Sequence, residues 1–231
     1  MADYLCAFDL GTTGVKAGIL TVDGELLGTA YREYNVRYPR PQWVEQSSEE
    51  MWRAQCAVSQ QVLDQSGVPG DQIAGIGISC QRATFMAQDS RLQPLTPFIG
   101  WQDRRSIEQC QRMCRLIGEE AYYQIAGLPI EPTAAVSKIV WLRENEPEIF
   151  QRTRTFAATQ TVHLLQLGVE ETYCDLPDAA YMGLLDVDAL VWSQELLDLL
   201  ELPADRMPKL VPSGVEVGAL SRSAGEATSL V

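Results

Sequence analysis

The sequence is poor in several residue types, and each shortage narrows the possible functions. It has a single histidine, His163, among 231 residues. Acid–base chemistry would therefore fall to a carboxylate. Its formal net charge is −13, which argues against a nucleic-acid partner because phosphate backbones select basic protein surfaces. A small phosphorylated ligand is still possible, since it needs only a local nest of N–H groups.

Long hydrophobic runs and targeting signals are also lacking. No apolar stretch approaches the roughly 18 residues that span a bilayer, and the N-terminus has no basic region followed by a cleavage site. We therefore expect a cytoplasmic protein with no membrane partner. The six cysteines form no CxxC pair, and His163 is far in sequence from Cys110 and Cys114. This pattern favours free, partly buried thiols over a metal site.

What remains is a globular composition, with 46% hydrophobic and 21% charged residues. The length suits one large domain or one domain with insertions. The 17 glycines and 12 prolines are scattered, and no repeat of solenoid period is present.

Strand patterns dominate the beginning of the chain. Residues 4–8, 15–21 and 26–31 are short apolar runs, and Asp23-Gly24 between the last two is a hairpin turn signal. The pattern predicts a three-stranded antiparallel meander.

A helix and a further strand follow the meander. Ser47 and Glu50 fit a capping box for a helix over 49–65 that ends at Gly67. The stretch "IAGIGIS" at 73–79 predicts a buried strand. The stretches "ATFMAQD" at 83–89 and "PFIGWQD" at 97–103 suggest another pair of strands.

Helical periodicity takes over after Arg104. The candidate helices are 107–117, 119–125, 136–144, 161–167 and 192–200. Two more strands are expected at 154–158 and 217–221. A sheet-rich beginning followed by helices indicates the α/β class.

The stretch "DLGTTGVKAGIL" at 9–20 carries more chemistry than a hairpin needs. Asp9 ends the first strand, and the glycines that follow permit backbone conformations that turn N–H groups inward. The turn and the start of the next strand supply two glycines, two hydroxyls and a cation: Gly11, Gly14, Thr12, Thr13 and Lys16. This set suits the terminal phosphates of a nucleotide, with Asp9 anchoring Mg²⁺ through water.

The stretch matches neither GxxxxGK[ST] nor GxGxxG, so it is not a P-loop or a Rossmann fingerprint. On these residues alone, a phosphate loop and a plain β-turn between two strands are equally good interpretations.

A resemblance favours the phosphate loop. The stretch at 9–20 resembles the first phosphate motif of the actin-like ATPase superfamily, and within it the FGGY carbohydrate kinases. Two segments resemble glycerol kinase motifs: "GIGISCQRATF" at 75–85 and "PFIGWQDRRS" at 97–106. Two more resemble later motifs of the family: "GLPIEPTAAVSKIVWL" at 127–142 and the stretch 175–180. The motifs occur in family order along nearly the whole chain.

The resemblance implies an actin-like ATPase (ribonuclease H-like) domain, with a mixed sheet flanked by helices and a helical insertion. It also implies ATP and Mg²⁺ as cofactors. Phosphate binding is then expected at Gly11, Thr12, Thr13 and Lys16, with the metal at Asp9.

The resemblance also implies a sugar or polyol site made of Gln81, Arg82, Trp101 and Asp103. The alternatives are a surface role for Arg82 in a turn, core filling for Trp101, and pairing of Asp103 with Arg105 to stiffen the segment. Arg105 is expected to be structural.

Three other residues are expected to have structural roles. Asp175 and Asp178 would cap loops, and His163 would pack within a helix.

Two positions depart from glycerol kinases, which carry Glu where this chain has Ala83 and Tyr where it has Thr133. Both changes remove contacts to a three-carbon polyol and enlarge the pocket. The sequence therefore favours a longer substrate, such as a pentulose like xylulose or a related polyol.

The family's catalytic Asp lies in a segment that would follow Val231. We therefore expect residues 1–231 to be the N-terminal, sugar-side domain of a two-domain kinase, without the nucleotide-side C-terminal domain and inactive by itself. A homo-oligomer is possible. The alternatives are a non-catalytic actin-like nucleotide switch and a regulatory sugar-binding module.

Overall fold

A computed structural model describes residues 4–230; residues 1–3 and 231, which belong to the predicted domain range, lie outside it. The strands are β1 (Tyr4–Leu10), β2 (Gly14–Thr21), β3 (Leu26–Glu33), β4 (Val36–Arg37), β5 (Glu45–Gln46), β6 (Ile73–Cys80), β7 (Phe85–Gln88), β8 (Phe98–Ile99), β9 (Thr155–Ala158), β10 (Tyr173–Asp175), β11 (Leu185–Asp186), β12 (Val191–Trp192) and β13 (Lys209–Val211). The helices are α1 (Ser48–Ser66), α2 (Ile107–Ile117), α3 (Glu119–Ala126), α4 (Ala135–Asn145), α5 (Pro147–Arg152), α6 (Thr159–Leu167), α7 (Leu176–Met182), α8 (Gln194–Leu199) and α9 (Arg222–Thr228).

The first sheet has the strand order β3-β2-β1-β6. The pairs β1–β2 and β2–β3 are antiparallel, whereas β1–β6 is parallel, so the sheet is mixed. On β1, Phe8 and Leu10 point into the core while Asp9 between them is exposed. This alternation follows from the two-residue period of a strand. It places Asp9 on the face opposite the core.

Helix α1 packs on the first sheet and forms as its sequence signals predict. The Ser47 hydroxyl accepts a hydrogen bond from the N–H of Glu50, and Gly67 ends the helix with φ 69°. A residue in this left-handed conformation at a helix end favours glycine. The helix buries Val58 and Val62 against the apolar face of the sheet.

A second sheet, which the sequence did not predict as a unit, has the order β4-β5-β8-β7-β9 and is antiparallel throughout. The helical segment α2–α5 lies between β8 and β9 in the chain and is the expected helical insertion. Its side chains, among them Tyr122 and Ile139, share one core with Phe85 and Phe156 of the second sheet.

The last third of the chain departs most from the sequence prediction. No strand forms at 217–221. Instead Ser221 accepts a hydrogen bond from the N–H of Ala224 and begins α9. Helix α8 begins at Gln194 and not at residue 192 as predicted, because the Ser193 side chain caps it by accepting a hydrogen bond from the N–H of Leu196. Helices α5 and α7 were not predicted.

The cysteines and the histidine behave as expected. All six cysteines are free thiols. His163 is buried on α6, where its Nδ1 lies 2.5 Å from Gln55 Oε1 and its ring stacks on Phe98. Burial lowers the pKa of His163 to about 3, so the ring is neutral near pH 7. Across residues 4–230, none of the helices combines the length and the apolar character that crossing a membrane requires.

Candidate functional site

The turn between β1 and β2 has its carbonyl groups fixed by the protein. The Tyr34 hydroxyl donates to the carbonyl of Gly11, and Gln46 Nε2 donates to that of Thr12 at 2.8 Å. The carbonyl of Thr13 accepts from the backbone N–H of Tyr34 at 3.2 Å. Within residues 4–230, the N–H groups of Thr12 and Thr13 donate to no protein acceptor. The turn therefore presents unpaired donors, which is the requirement for binding an anion.

The glycines of this turn act differently from the sequence prediction. Neither Gly11 nor Gly14 has a φ in the left-handed range, so the expectation of special backbone conformations was wrong. Their role is close approach. A Cβ at Gly14 would lie 2.6 Å from the carbonyl oxygen of Arg32, and one at Gly11 would lie 3.2 Å from the carbonyl oxygen of Gly14.

Gly14→Ala is expected to lower the free energy of unfolding by about 1–3 kcal/mol, because the new methyl group meets backbone that must shift. Gly77→Ala on β6 is the matched control, since nothing lies within 4 Å of its Cβ position. Urea unfolding of both variants and the wild type measures the difference. Equal stabilities for Gly14→Ala and Gly77→Ala would contradict the close-approach role.

Asp9 and Lys16 lie beside this turn on the exposed face of the first sheet. They are register partners across β1 and β2, and Asp9 is also aligned with Ser79 on β6. Among residues 4–230, Asp9 makes no ion pair with a cationic side chain. An exposed carboxylate of this kind fits Mg²⁺, which is commonly held by one or two carboxylates, several waters and substrate phosphates.

Trp101 connects the turn to the segment that follows β8. Its indole Nε1 donates to Thr12 Oγ1 at 3.0 Å, and its backbone N–H donates to Thr84 Oγ1 at 3.1 Å. The side chain is 38% exposed. The structure therefore brings Trp101 next to the predicted phosphate turn and leaves part of the ring open to a ligand.

Gln81 is tied to the same turn through a second amide. Its Nε2 donates to Gln46 Oε1 at 2.7 Å, and Gln46 in turn donates to the carbonyl of Thr12. The side chain is 9% exposed, and its Oε1 has no protein hydrogen-bond partner in the described part of the chain. Gln81 thus supports the turn and retains one unused acceptor.

Arg82 follows directly and is exposed. Its guanidinium lies 5.6 Å from the ring centroid of Tyr181 on α7, within cation–π range. The next residue, Ala83, is buried with φ 57°. Because Asp9 is aligned with Ser79, Arg82 leaves the sheet at the same end as Asp9.

Asp103 does not face a binding surface, which corrects the prediction that it touches substrate. It is fully buried. Its Oδ1 accepts from the N–H and Nε of Arg105, each at 2.9 Å, and its Oδ2 accepts from the N–H of Val44 at 2.6 Å and from Arg105 Nη2 at 2.8 Å. These four bonds use the acceptor positions of the carboxylate. No position remains for a substrate hydroxyl.

Arg105 is structural, as expected. Its guanidinium also pairs with Glu45 at 2.7 Å and lies 3.6 Å from the ring centroid of Trp43. The Asp103–Arg105 pair therefore stiffens the segment that carries Trp101.

Lys138 on α4 is a buried cation that sequence reasoning missed. Its Nζ donates to the carbonyls of Pro132 and Thr133 at 2.8 and 3.0 Å. Burial lowers its pKa to about 7, opposed by the negative charge of Asp103. In the sequence, a lysine within the apolar stretch of a predicted helix could have indicated a buried cation. Its bonds fix the loop before α4, where Thr133 lies.

The two acidic residues near α7 have different roles. Asp175 caps the helix, as expected, since its Oδ1 accepts from the N–H of Asp178 at 3.0 Å. Asp178 is not a cap; it is buried against the end of β6. Gln46 and Tyr181, which contact the site, gave no signal in the sequence.

Known proteins match both the sequence and the fold. Residues 4–231 match the FGGY family of carbohydrate kinases, N-terminal domain. Glycerol kinase from Trichodesmium erythraeum is 32% identical over 216 residues, which are 91% of this chain and 43% of that protein.

Two solved structures share the fold. A xyloylose kinase from Brucella ovis is 30% identical with a TM-score of 0.89, and the match covers 99% of this chain and 46% of that one. Plasmodium falciparum glycerol kinase with ADP is 19% identical with a TM-score of 0.87, covering 97% and 46%. The chain thus spans less than half the length of each of these three relatives. From the family match over nearly its whole length, the chain belongs to the FGGY family of carbohydrate kinases and corresponds to the family's N-terminal domain.

Proposed function

We propose that this domain forms the sugar-side wall of an ATP-dependent kinase that transfers the γ-phosphate of ATP to a hydroxyl of a sugar or polyol. The observation that carries the proposal is the hydrogen bond from Trp101 Nε1 to Thr12 Oγ1. It joins a turn with unpaired N–H donors to a segment with an exposed aromatic face. A phosphate and a carbon chain bound at these two places would be neighbours, as phosphoryl transfer requires.

The phosphate side consists of the turn and two charged residues next to it, Asp9 and Lys16. The N–H groups of Thr12 and Thr13 and the ammonium group of Lys16 would bind phosphoryl oxygens. Asp9 would hold Mg²⁺ through water, and the metal would neutralise charge on the phosphates. The register of β1 and β2 keeps Asp9 and Lys16 adjacent.

The sugar side consists of Arg82, Gln81 and Trp101. A neutral hydroxyl gains little net free energy from one neutral hydrogen bond, so a guanidinium is a suitable partner. Gln81 would hold the site in place through Gln46, since its Oε1 is buried, and the exposed part of Trp101 offers a flat apolar surface to the carbon chain. Asp103 has no part in this site.

We propose a pentulose such as xylulose as the substrate class. Ala83 and Thr133 stand where glycerol kinases carry larger side chains. Ala83 is buried behind Arg82 and offers no polar group. Relatives named for both glycerol and xyloylose occur, so the choice of pentulose rests on these two positions.

The isolated chain is proposed to be inactive, because no carboxylate at the site is available as general base. Asp9 is assigned to the metal, Asp103 is saturated by hydrogen bonds, and the side chain of Asp178 next to Arg82 is buried. We propose that the base comes from a second, nucleotide-side domain of a longer protein.

A coupled ADP-release assay tests the proposal with D-xylulose, D-ribulose and glycerol as acceptors. We expect no acceptor-dependent ADP release from residues 1–231, and release that prefers a pentulose from the longer protein. Robust release from the 231 residues alone would contradict the proposed inactivity. A longer protein that releases no ADP with any acceptor would contradict the kinase assignment.

A further inference from the structure

Helix α7 presents two residues to Arg82. Asp178 and Tyr181 are three positions apart and therefore share one face of the helix. The Tyr181 ring lies under the Arg82 guanidinium. Asp178 is 2% exposed, and its Oδ2 lies 3.8 Å from Sγ of Cys80, two residues before Arg82. One helix face thus contacts the start of the turn and the guanidinium that follows it.

Charged and titratable groups surround the Asp178 carboxylate on several sides. Arg82 and Cys80 face it from the end of β6, and Asp175 and Cys174 face it from β10. Burial, followed by the charge of Asp175, raises the pKa of Asp178 to about 7, while the N–H of Ala83 and the Arg82 guanidinium oppose the rise. Its Oδ1 accepts no hydrogen bond from any described residue.

The turn that Asp178 touches needs support. Ala83 has φ 57°, a left-handed conformation that is unfavourable for a residue with a Cβ. Thr84 after it is fixed, because its carbonyl accepts from the N–H of Thr159 at 3.1 Å and its hydroxyl accepts from Trp101. Before it, the N–H of Gln81 donates to the carbonyl of Leu10 at 2.8 Å. Arg82 and Ala83 lie between these fixed points.

We propose that Asp178 and Tyr181 are positioning residues that hold the Arg82–Ala83 turn and its guanidinium in the orientation that meets the sugar. Asp178 stabilises the backbone of the turn and attracts the Arg82 guanidinium. The Tyr181 ring packs against the same guanidinium through a cation–π contact. The inference rests on the proposed function in one respect: Arg82 is taken to be the sugar contact.

The test measures the mobility of Arg82 without any ligand. The ¹⁵N–¹H signal of Arg82 Nε in the 231-residue chain, identified by its loss in Arg82→Lys, reports this mobility through its heteronuclear NOE. We expect Asp178→Ala and Tyr181→Leu to lower the NOE toward that of a free side chain. Asp188→Ala and Tyr123→Leu, at exposed positions outside α7, should leave it unchanged.

A pH titration separates positioning from general packing. Asp178 gains its charge as the pH rises through about 7, so the Arg82 Nε signal should shift and its NOE should rise over that interval. Asp178→Asn keeps the shape of the side chain and should abolish the titration. It also replaces Asp178→Ala as the informative variant if the alanine protein does not fold. A signal that ignores both pH and the variants would overturn the proposal.

Calorimetric measurement of D-xylulose affinity tests whether the positioning of Arg82 matters for sugar binding. We expect Asp178→Asn to weaken binding about tenfold and Asp188→Ala to have no effect. Wild-type protein that binds no D-xylulose, but shows the expected Arg82 signals, would contradict the sugar assignment and leave the positioning role supported. Unchanged D-xylulose affinity in Asp178→Asn would overturn the link between Asp178 and the sugar.

Discussion

Asp103→Ala is expected to lower the free energy of unfolding by about 3–5 kcal/mol, the usual consequence of removing one partner from a buried ion pair. The side chains of Asp103 and Arg105 are 0% and 4% exposed, so water cannot replace the lost carboxylate. The Val44 N–H would also lose its acceptor. Urea unfolding monitored by tryptophan fluorescence measures the change.

Two controls show whether the effect comes from the pair. Asp188→Ala removes an exposed carboxylate and should change stability by less than about 0.5 kcal/mol. The double variant Asp103→Ala/Arg105→Met should lose less than the sum of the losses in Asp103→Ala and Arg105→Met, because the two single variants break the same two hydrogen bonds between the side chains of the pair. If Asp103→Ala instead unfolded like the wild type and lost only sugar binding, Asp103 would be a substrate contact after all.

Arg82→Ala is expected to reduce kcat/KM for the preferred pentulose about 10- to 100-fold in the longer kinase. A hydrogen bond from a charged group contributes about 1.5–3 kcal/mol, and each 1.4 kcal/mol corresponds to a factor of ten. Because Arg82 is exposed, its removal should leave the free energy of unfolding nearly unchanged. Initial rates of ADP release over a range of pentulose concentrations give the measurement.

Arg91→Ala is the matched control, since it removes an exposed arginine from the loop between β7 and β8. It should leave kcat/KM unchanged. Equal rates for Arg82→Ala and the wild type would remove Arg82 from the sugar site. A large loss of stability in Arg82→Ala would instead assign the residue a structural role.

The fold was predictable wherever a local signal decides the outcome. Helix α1 lies within a residue of its predicted ends because Ser47 and Gly67 mark them chemically. The sequence indicated strands where β7, β8 and β9 form. It did not indicate the second sheet as a unit, because β4 and β5 have only two residues each and the pairing joins distant segments. The predicted strand at 217–221 was wrong because Ser221 begins a helix, and within residues 4–230 no strand pairs with the residues before it.

The residues of the candidate site could be predicted to lie near one another, whereas their binding roles stay predictions. The sequence identified the turn at 11–14 and the neighbouring Arg82 and Trp101, which the structure brings to one end of the first sheet. It could not show that Asp103 is saturated, because Arg105 and Val44 become its partners only in the folded chain. Gln46 links Gln81 to Thr12 from a loop with no motif of its own.

Because buried and exposed residues alternate along β1, substitutions at three consecutive positions should have two different effects. Phe8 and Leu10 belong to the core, whereas Asp9 between them projects to the opposite side. Shortening the side chain of Phe8 or Leu10 would destabilise the fold. Removing the charge of Asp9 would leave the fold stable and disable only the proposed chemistry. In a saturation scan of β1, substitutions at Asp9 should therefore leave folding intact but abolish catalysis, and no other position of the strand should separate the two effects as clearly.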